Sequence, residues 1–406
     1  MIERVRRAND GTVATDVILD VGLEVLEDDP YPTYEWMRRE LPIAFVPETG
    51  RVLVTTWALC EEAGSNDEVF GPTREPFNTV YGDPNVMSLT GPAHRSLRNS
   101  MNPPLRPRAV DEYRERTLRT TAIRFIDAIR ERGGVEACGD LLEPISLRAV
   151  GDVLGFDDVD DDTLDGWLKG YAAHLVDFGR DPLVAERGRA VKAEVRTYLQ
   201  ERLPLLADHP DDSALSHMLR DGMADGQTRS VEDLIGSVGV VIVGGIQEPA
   251  HGAANALLGL FGRPEQAARL ADDPAAWSLG AVDEGLRWLP PFGMTEKRTT
   301  TDTTLGGLLF PAGTEVSLVI GSANRDPNRW TDPDVFDLHR EPQPHMSFGY
   351  GIHFCIGHYV ARVLAQVMIE EMFTRLPNLR LDPDREPFVH GWANRAAYRL
   401  PLVWDA

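Results

Sequence analysis

The ten residues from Phe348 to Gly357, Phe-Gly-Tyr-Gly-Ile-His-Phe-Cys-Ile-Gly, constrain this chain more than any other stretch. Three glycines in ten positions describe a backbone that turns sharply and lets another group come close. Val360, Val363, Leu364, Val367, Met368 and Met372 follow at helical spacing, which predicts an amphipathic helix directly after the loop. Cys355 then stands at or near a helix N-terminus. Backbone N–H groups and the helix dipole there favour a thiolate, the form that binds a metal. A small buried core thiol is the other reading of a cysteine in such a turn.

At 406 residues and 42% hydrophobic content the chain can bury a large core. Its net charge of -23 argues against a nucleic-acid or anionic-membrane partner. No apolar run of a secretory signal is visible near Met1, and Leu234 to Ile246 is too short for the ~20 residues of a membrane span. Cys60, Cys138 and Cys355 are far apart and form no CxxC, as suits a reducing cytoplasm, and Cys60 and Cys138 read as inert core residues. The expectation is a cytoplasmic protein without membrane or nucleic-acid contacts.

Ile43 to Trp57 reads as a hairpin, and Thr303 to Ile320 as a second strand pair turning at Gly306-Gly307 and Pro311-Ala312-Gly313. Most of the rest is helical in pattern. A mainly α chain with a small β region from distant segments is expected, as one domain over 1–406. Phe70 to Leu89 is a long loop by composition, with Phe77 and Tyr81 inside it. His94 and Arg98, four apart, share a helix face and could clamp an anion. From Arg95 to Arg119 seven arginines face three acids, a sign reversal that suggests docking of an acidic partner. Trp167, Leu168, Tyr171, Leu175 and Phe178 form an apolar stripe. Val231 to Leu260 reads as one long helix, interrupted at Gly244-Gly245 and Pro249. Pro249 cannot donate to the carbonyl of Gly245, so a local opening is expected there.

The run Phe-Gly-x-Gly-x-His-x-Cys-x-Gly resembles the haem-binding loop of the cytochrome P450 family of haem-thiolate monooxygenases. The resemblance implies haem b held between the long helix and the cysteine loop, with Cys355 as axial iron ligand. A thiolate in that place pushes electron density onto the iron and favours O–O cleavage. It also implies Phe348 and Gly349 beside the sulfur, and His94, Arg98, Arg298 and His353 on the haem propionates. Glu284 and Arg287 match a structural Glu-x-x-Arg, with Arg340 as its third member. Where the family usually has an acid and a threonine, this chain has Gln247 and Glu248. Glu248 is then the natural proton donor, beside Gln247 and Gly245. A substrate pocket is implied at Phe77, Tyr81, Leu168, Val240, Val241, Gly244, Phe292, Thr295 and Asn394.

Gly-Gly-Ile-Gln-Glu-Pro and Gly391-Trp392 look like bacterial O-demethylases of guaiacol-type methoxyphenols, which release a catechol and formaldehyde. That likeness implies a small aromatic substrate, O2, and a reductase carrying flavin and an iron–sulfur cluster. Hydroxylation of another small hydrophobic substrate, a peroxide-driven enzyme and a non-catalytic haem sensor are the alternatives.

Overall fold

The long apolar stretch runs as one helix from Val231 to Phe261 in the structure, a computed structural model that describes residues 4–7, 17–175 and 181–406. A reciprocal pair closes its start: the Asp233 N–H donates to Ser230 Oγ, and the Ser230 N–H donates to the Asp233 carboxylate. The expected interruption at Gly244-Gly245 and Pro249 is absent, because the helix continues through all three. Proline removes one donor from the ladder, and neighbours on nearly every side hold the rest in place. Helices Glu143–Leu154, Pro274–Trp288 and His358–Arg375 all pack against it. The Ser146 hydroxyl donates to the Ile246 carbonyl at 2.5 Å, and Asn255 ties the helix to Leu289, Arg395 and Ala397 with three hydrogen bonds.

The β region gathers segments from across the chain. A seven-stranded sheet takes the order Arg4–Arg7, Val17–Asp20, Ile43–Val46, Arg51–Val54, Glu315–Leu318, Thr295–Thr299 and Phe70–Pro72. The hairpin expected from Ile43 forms, turning at Pro47–Thr49. The second expected pair divides. Thr303–Leu305 and Leu308–Phe310 make a small hairpin, while Glu315–Leu318 leaves to pair parallel with Arg51–Val54 and antiparallel with Thr295–Thr299. Val316 and Leu318 are thereby buried. The segment from Phe70 to Leu89 begins as the sheet's edge strand and then holds a short helix, Phe77–Val80. The apolar stripe lies on helix Asp161–Leu175 with Trp167, Leu168 and Tyr171 buried, and Phe178 lies outside the described residues. Mainly helical architecture with a small β region is thus borne out. Among the described residues no helix is long and apolar enough to cross a membrane.

One buried ion network ties the helix Pro274–Trp288 to the segment before the cysteine loop. Arg287, 1% exposed, donates to both oxygens of Glu284 at 2.8 and 2.7 Å, and Arg340 Nε reaches both at 3.1 Å. Arg287 also donates to the carbonyls of Asn324, Pro333 and Val335, and Arg340 to those of Thr331, Asp332 and Val335. Removing one partner of such a pair leaves a buried charge uncompensated, at a cost of about 3–5 kcal/mol. Glu284→Gln is therefore expected to destabilise the fold by that amount in urea unfolding, and an unchanged midpoint would show that the network does not hold the fold.

Candidate active site

The cysteine loop is shaped by its own backbone. Gly349 and Gly351 adopt φ of +74° and +68°, which side chains resist, so the chain can fold back on itself. The Gly349 N–H then donates to Met346 O and the Cys355 N–H to Phe348 O, both at 2.8 Å. Phe348 packs among Phe354, His358 and His345. The predicted helix follows as His358–Arg375, burying Val360, Val363, Leu364, Val367, Met368 and Met372. Cys355 does not behave as helix position alone would have it. Burial pushes its thiol up to about 11, outweighing the Gly357 amide and the more distant Arg98, while Glu248 adds to the rise. A metal ion at the sulfur reverses that balance, because a coordinating thiol is deprotonated outright.

Beside the loop, cationic and donor groups converge. The rings of His94 and His353 lie 4.6 Å apart, and the Nε2 of each is buried with no hydrogen-bond partner. Burial lowers His353 to about 3, with His94, Lys297 and Arg98 adding to the shift and Asp67 opposing it. His94 is lowered too, by burial and by Arg98. Arg98 donates to the Phe354 carbonyl. Lys297, 2% exposed, donates to Asp67 at 2.7 Å, and the second Asp67 oxygen accepts from the Ile352 N–H at 2.8 Å. Asp67 thus braces the lysine against the cysteine loop.

Arg298 is not part of this group. In the strand Thr295–Thr299 successive side chains point to opposite faces, and Lys297 takes the inner one. Arg298 is 58% exposed and lies 3.5 Å from Glu315, in a network where Arg51 also joins Glu296 and Glu315.

The long helix supplies the opposite wall. Val240, Gly244 and Glu248 are spaced i, i+4, i+8 and share a face. Gly244 is exposed although most residues around it are buried, and a Cβ built on it would meet nothing within 4 Å. Gly245 turns elsewhere, toward Val150 and Val241, so the space left by the two glycines lies at Gly244. Val241 likewise lines a separate apolar recess with Met101, Leu105 and Met218. Glu248 Oε2 is buried without a partner, and burial raises its carboxyl above the usual range, opposed by His251. The charge of Glu248 is felt at Cys355, Tyr81 and Tyr398. Glu248 therefore lies close enough to Cys355 for its charge to add to the rise of the thiol.

A sequence model of the cytochrome P450 family matches residues 280–387. The chain is 30% identical over 301 residues to the cyclomarin C epoxidase CymV of Salinispora arenicola, an alignment covering 73% of this chain and 74% of that protein. The chain belongs to the cytochrome P450 family. The biotin biosynthesis cytochrome P450 of Bacillus subtilis is 28% identical over 389 residues, 93% of this chain and 96% of the relative. The crystal structure of P450BioI with a hexadec-9Z-enoic acid-ligated acyl carrier protein matches at TM-score 0.84 and 25% identity, over 93% of this chain and 99% of that one. As a P450 the chain is a haem b monooxygenase that uses O2 and electrons from a redox partner.

The residues present fit that cofactor. Haem carries two propionates, and the unpartnered His94 and His353 nitrogens with Arg98 and Lys297 are donors for carboxylates. The open space at Gly244 leaves room beside the long helix for a bulky group. Among the expected pocket residues, Phe292 and Asn394 pair in a β-bridge, and Asn394 Oδ1 is buried without a partner. Tyr81 stacks on Phe77 at 6.3 Å and packs against Tyr171 at 5.5 Å. Thr295 opens the inner strand, while Leu168 is a core residue of its helix. Sequence reading missed Lys297, Asp67 and His251. Strand alternation was the available signal for Lys297, whereas Asp67 and His251 reach the site through long-range packing.

The P450 basic segment is only partly free. Arg114 and Arg119 pair with Glu370, Arg119 also with Glu371, and Arg108 with Glu112. Arg95, Arg106 and Arg116 are exposed and make no ion pair among the described residues. The register of the inner strand yields a direct comparison. Lys297→Ala is expected to speed haem loss to apomyoglobin, whereas Arg298→Ala should leave the rate unchanged; the reverse order would overturn the assignment.

Proposed function

We propose that this chain works as one haem-thiolate monooxygenase unit in which Cys355 ligates the iron and Glu248 delivers protons. The observation that carries this reading is the buried Glu248 Oε2, which has no hydrogen-bond partner, together with the Glu248 charge acting on Cys355. Bound haem supplies dioxygen binding and activation. His94, Arg98, His353 and Lys297 anchor its propionates, and Phe348 and Gly349 shape the loop that presents the sulfur. Glu248 takes over the part that an acid and a threonine usually play, since a carboxylic acid both donates a proton and forms a hydrogen bond. Gln247 makes no side-chain hydrogen bond among the described residues and is assigned no proton step.

The substrate is an apolar organic molecule with a hydrogen-bond donor. Val240 and Phe77 would offer it apolar surface, Gly244 the open space, and Asn394, bridged to Phe292, an acceptor at Oδ1. A methoxyphenol meets that description: its phenol would donate to Asn394, and loss of the methyl group as formaldehyde would leave a catechol. The Gln247-Glu248-Pro249 run is the feature in favour of that choice. The relatives described above bear other names, a biotin biosynthesis enzyme and an epoxidase, so the substrate panel must extend beyond phenols. Electrons would enter near Arg95, Arg106 and Arg116 from an acidic partner, a flavin and iron–sulfur reductase of the cytoplasm.

Two measurements test the core of this reading. Cys355→His should abolish the long-wavelength band of the reduced carbon monoxide complex that names the family; its survival would remove Cys355 as ligand. Glu248→Gln should bind haem and substrate normally yet lose turnover by about 10²-fold or divert oxygen to hydrogen peroxide. Equal product per oxygen consumed in both proteins would sink the proton role. Spectral titration with methoxyphenols, terpenes, steroids and fatty acids then assigns the substrate class. Turnover with hydrogen peroxide but not with reductase and NADH would make the enzyme peroxide-driven.

A further inference from the structure

A proton donor must be recharged after each delivery, and Glu248 Oε2 has no hydrogen-bond partner through which this could happen at rest. The next ionisable group along the same side of the long helix is His251, three residues on and 1% exposed. Its ring opposes the rise that burial imposes on Glu248. His251 Nε2 lies 3.1 Å from Glu143 Oε1, on the neighbouring helix Glu143–Leu154. Glu143 keeps 28% of its side chain exposed and stands close to the exposed Gly139 and Asp140.

We propose that Glu143 and His251 form a proton route from the protein surface to Glu248. The route rests on the reading of Glu248 as proton donor. Its parts are held in register by two contacts between the same helices: Ser146 to Ile246 at 2.5 Å, and Glu143 to His251. The numbering rises on one helix as it falls on the other, so the helices cross antiparallel and the two contacts fix both position and direction. The other ionisable groups around the route are few. Cys138 Sγ lies 3.9 Å from Glu143 Oε1, and the Tyr398 ring meets His251 edge-on at 5.1 Å. Tyr81 and Cys355 also feel the charge of Glu248. Burial holds Cys138, Tyr81 and Tyr398 protonated, and Glu136 is tied to the Cys138, Gly139 and Leu400 amides, which leaves His251 and Glu143 as the hydrogen-bonded pair between Glu248 and the surface.

The chemistry balances without a further reactant. A proton from water joins the Glu143 carboxylate and moves to His251 Nε2. The ring releases a proton from Nδ1 toward Glu248, across a side-chain rotation or one water, which leaves it as the Nε2–H tautomer; proton exchange with water restores Nδ1–H before the next transfer. No electrons move in this step. The monooxygenase reaction consumes two protons for each O2, one oxygen entering the product and the other leaving as water, so the route must run twice per turnover.

His251→Gln keeps a hydrogen bond to Glu143 but cannot relay a proton, and Glu143→Gln keeps an acceptor but cannot ionise. The first readout is infrared spectroscopy on the resting holoenzyme, using the carboxylic-acid band that disappears in Glu248→Gln. Its hydrogen-to-deuterium exchange after mixing with D2O is expected to slow by about 10²-fold in either variant, the lower end of a positioned proton-transfer group's contribution. The second readout is product formed per oxygen consumed, which should fall in both. Unchanged exchange in either variant, or the absence of any Glu248 band, would overturn the route. Slowed exchange with unchanged coupling would keep the route but fail the catalytic reading of Glu248, so the two failures are distinguishable.

Discussion

A buried polar atom without a partner costs free energy, on the order of 1–3 kcal/mol each, and several of the atoms this chain leaves in that state stand at the cysteine loop and the long helix. His94 Nε2, His353 Nε2 and Glu248 Oε2 are all buried and unpaired, with Asn394 Oδ1 nearby in the chain's C-terminal strand region. A fold carries that cost when a ligand supplies the missing partners. Haem would supply partners for the two imidazoles through its carboxylates. The surrounding architecture then has one task, to keep the two walls of the cavity apart and in register. The long helix Val231–Phe261 is held by helices on several sides, and the cysteine loop is anchored through Asp67, Lys297 and the Glu284–Arg287–Arg340 network.

Electrostatics within the cavity follow from burial more than from local sequence. Cys355 stands near a helix N-terminus, which alone favours the thiolate, yet burial and Glu248 raise its thiol to about 11. The same burial raises Glu248 and lowers both histidines. Burial thus favours the neutral forms of these groups, and Arg98 and the Asp67-braced Lys297 stand beside them. Iron and propionates bring the complementary charges. Such a division suits a site where charge must appear only when the cofactor and its reaction require it.

The basic segment shows how composition can mislead about surface. Seven arginines between Arg95 and Arg119 read as one docking patch. Arg98 turns to the cysteine loop, Arg108 pairs with Glu112, and Arg114 and Arg119 are drawn into carboxylates of the helix His358–Arg375. What is left for a partner is a smaller set, Arg95, Arg106 and Arg116, close in sequence to the cofactor-side helix. An exposed patch of that size acts through long-range attraction and is screened within about 8 Å at physiological salt.

Much of the site was legible in the chain itself. The spacing from Phe348 to Gly357 located the thiol, the helix after it and the glycine turns, because each of those depends on neighbours within a few residues. The hairpin from Ile43 and the long helix were legible for the same reason. The break expected at Gly244, Gly245 and Pro249 did not occur, since the stability of that helix comes from the elements packed around it rather than from its own ladder. Choosing between Lys297 and Arg298 required the register of a strand whose partners lie at Glu315–Leu318 and Phe70–Pro72, far away in sequence. A one-residue shift exchanges the two faces, so local pattern alone could not decide which cation turns inward. Glu143 and His251 are separated by 108 positions and meet only because two helices cross antiparallel. Local chemistry was written in the sequence, whereas the groups that chemistry meets were decided by packing.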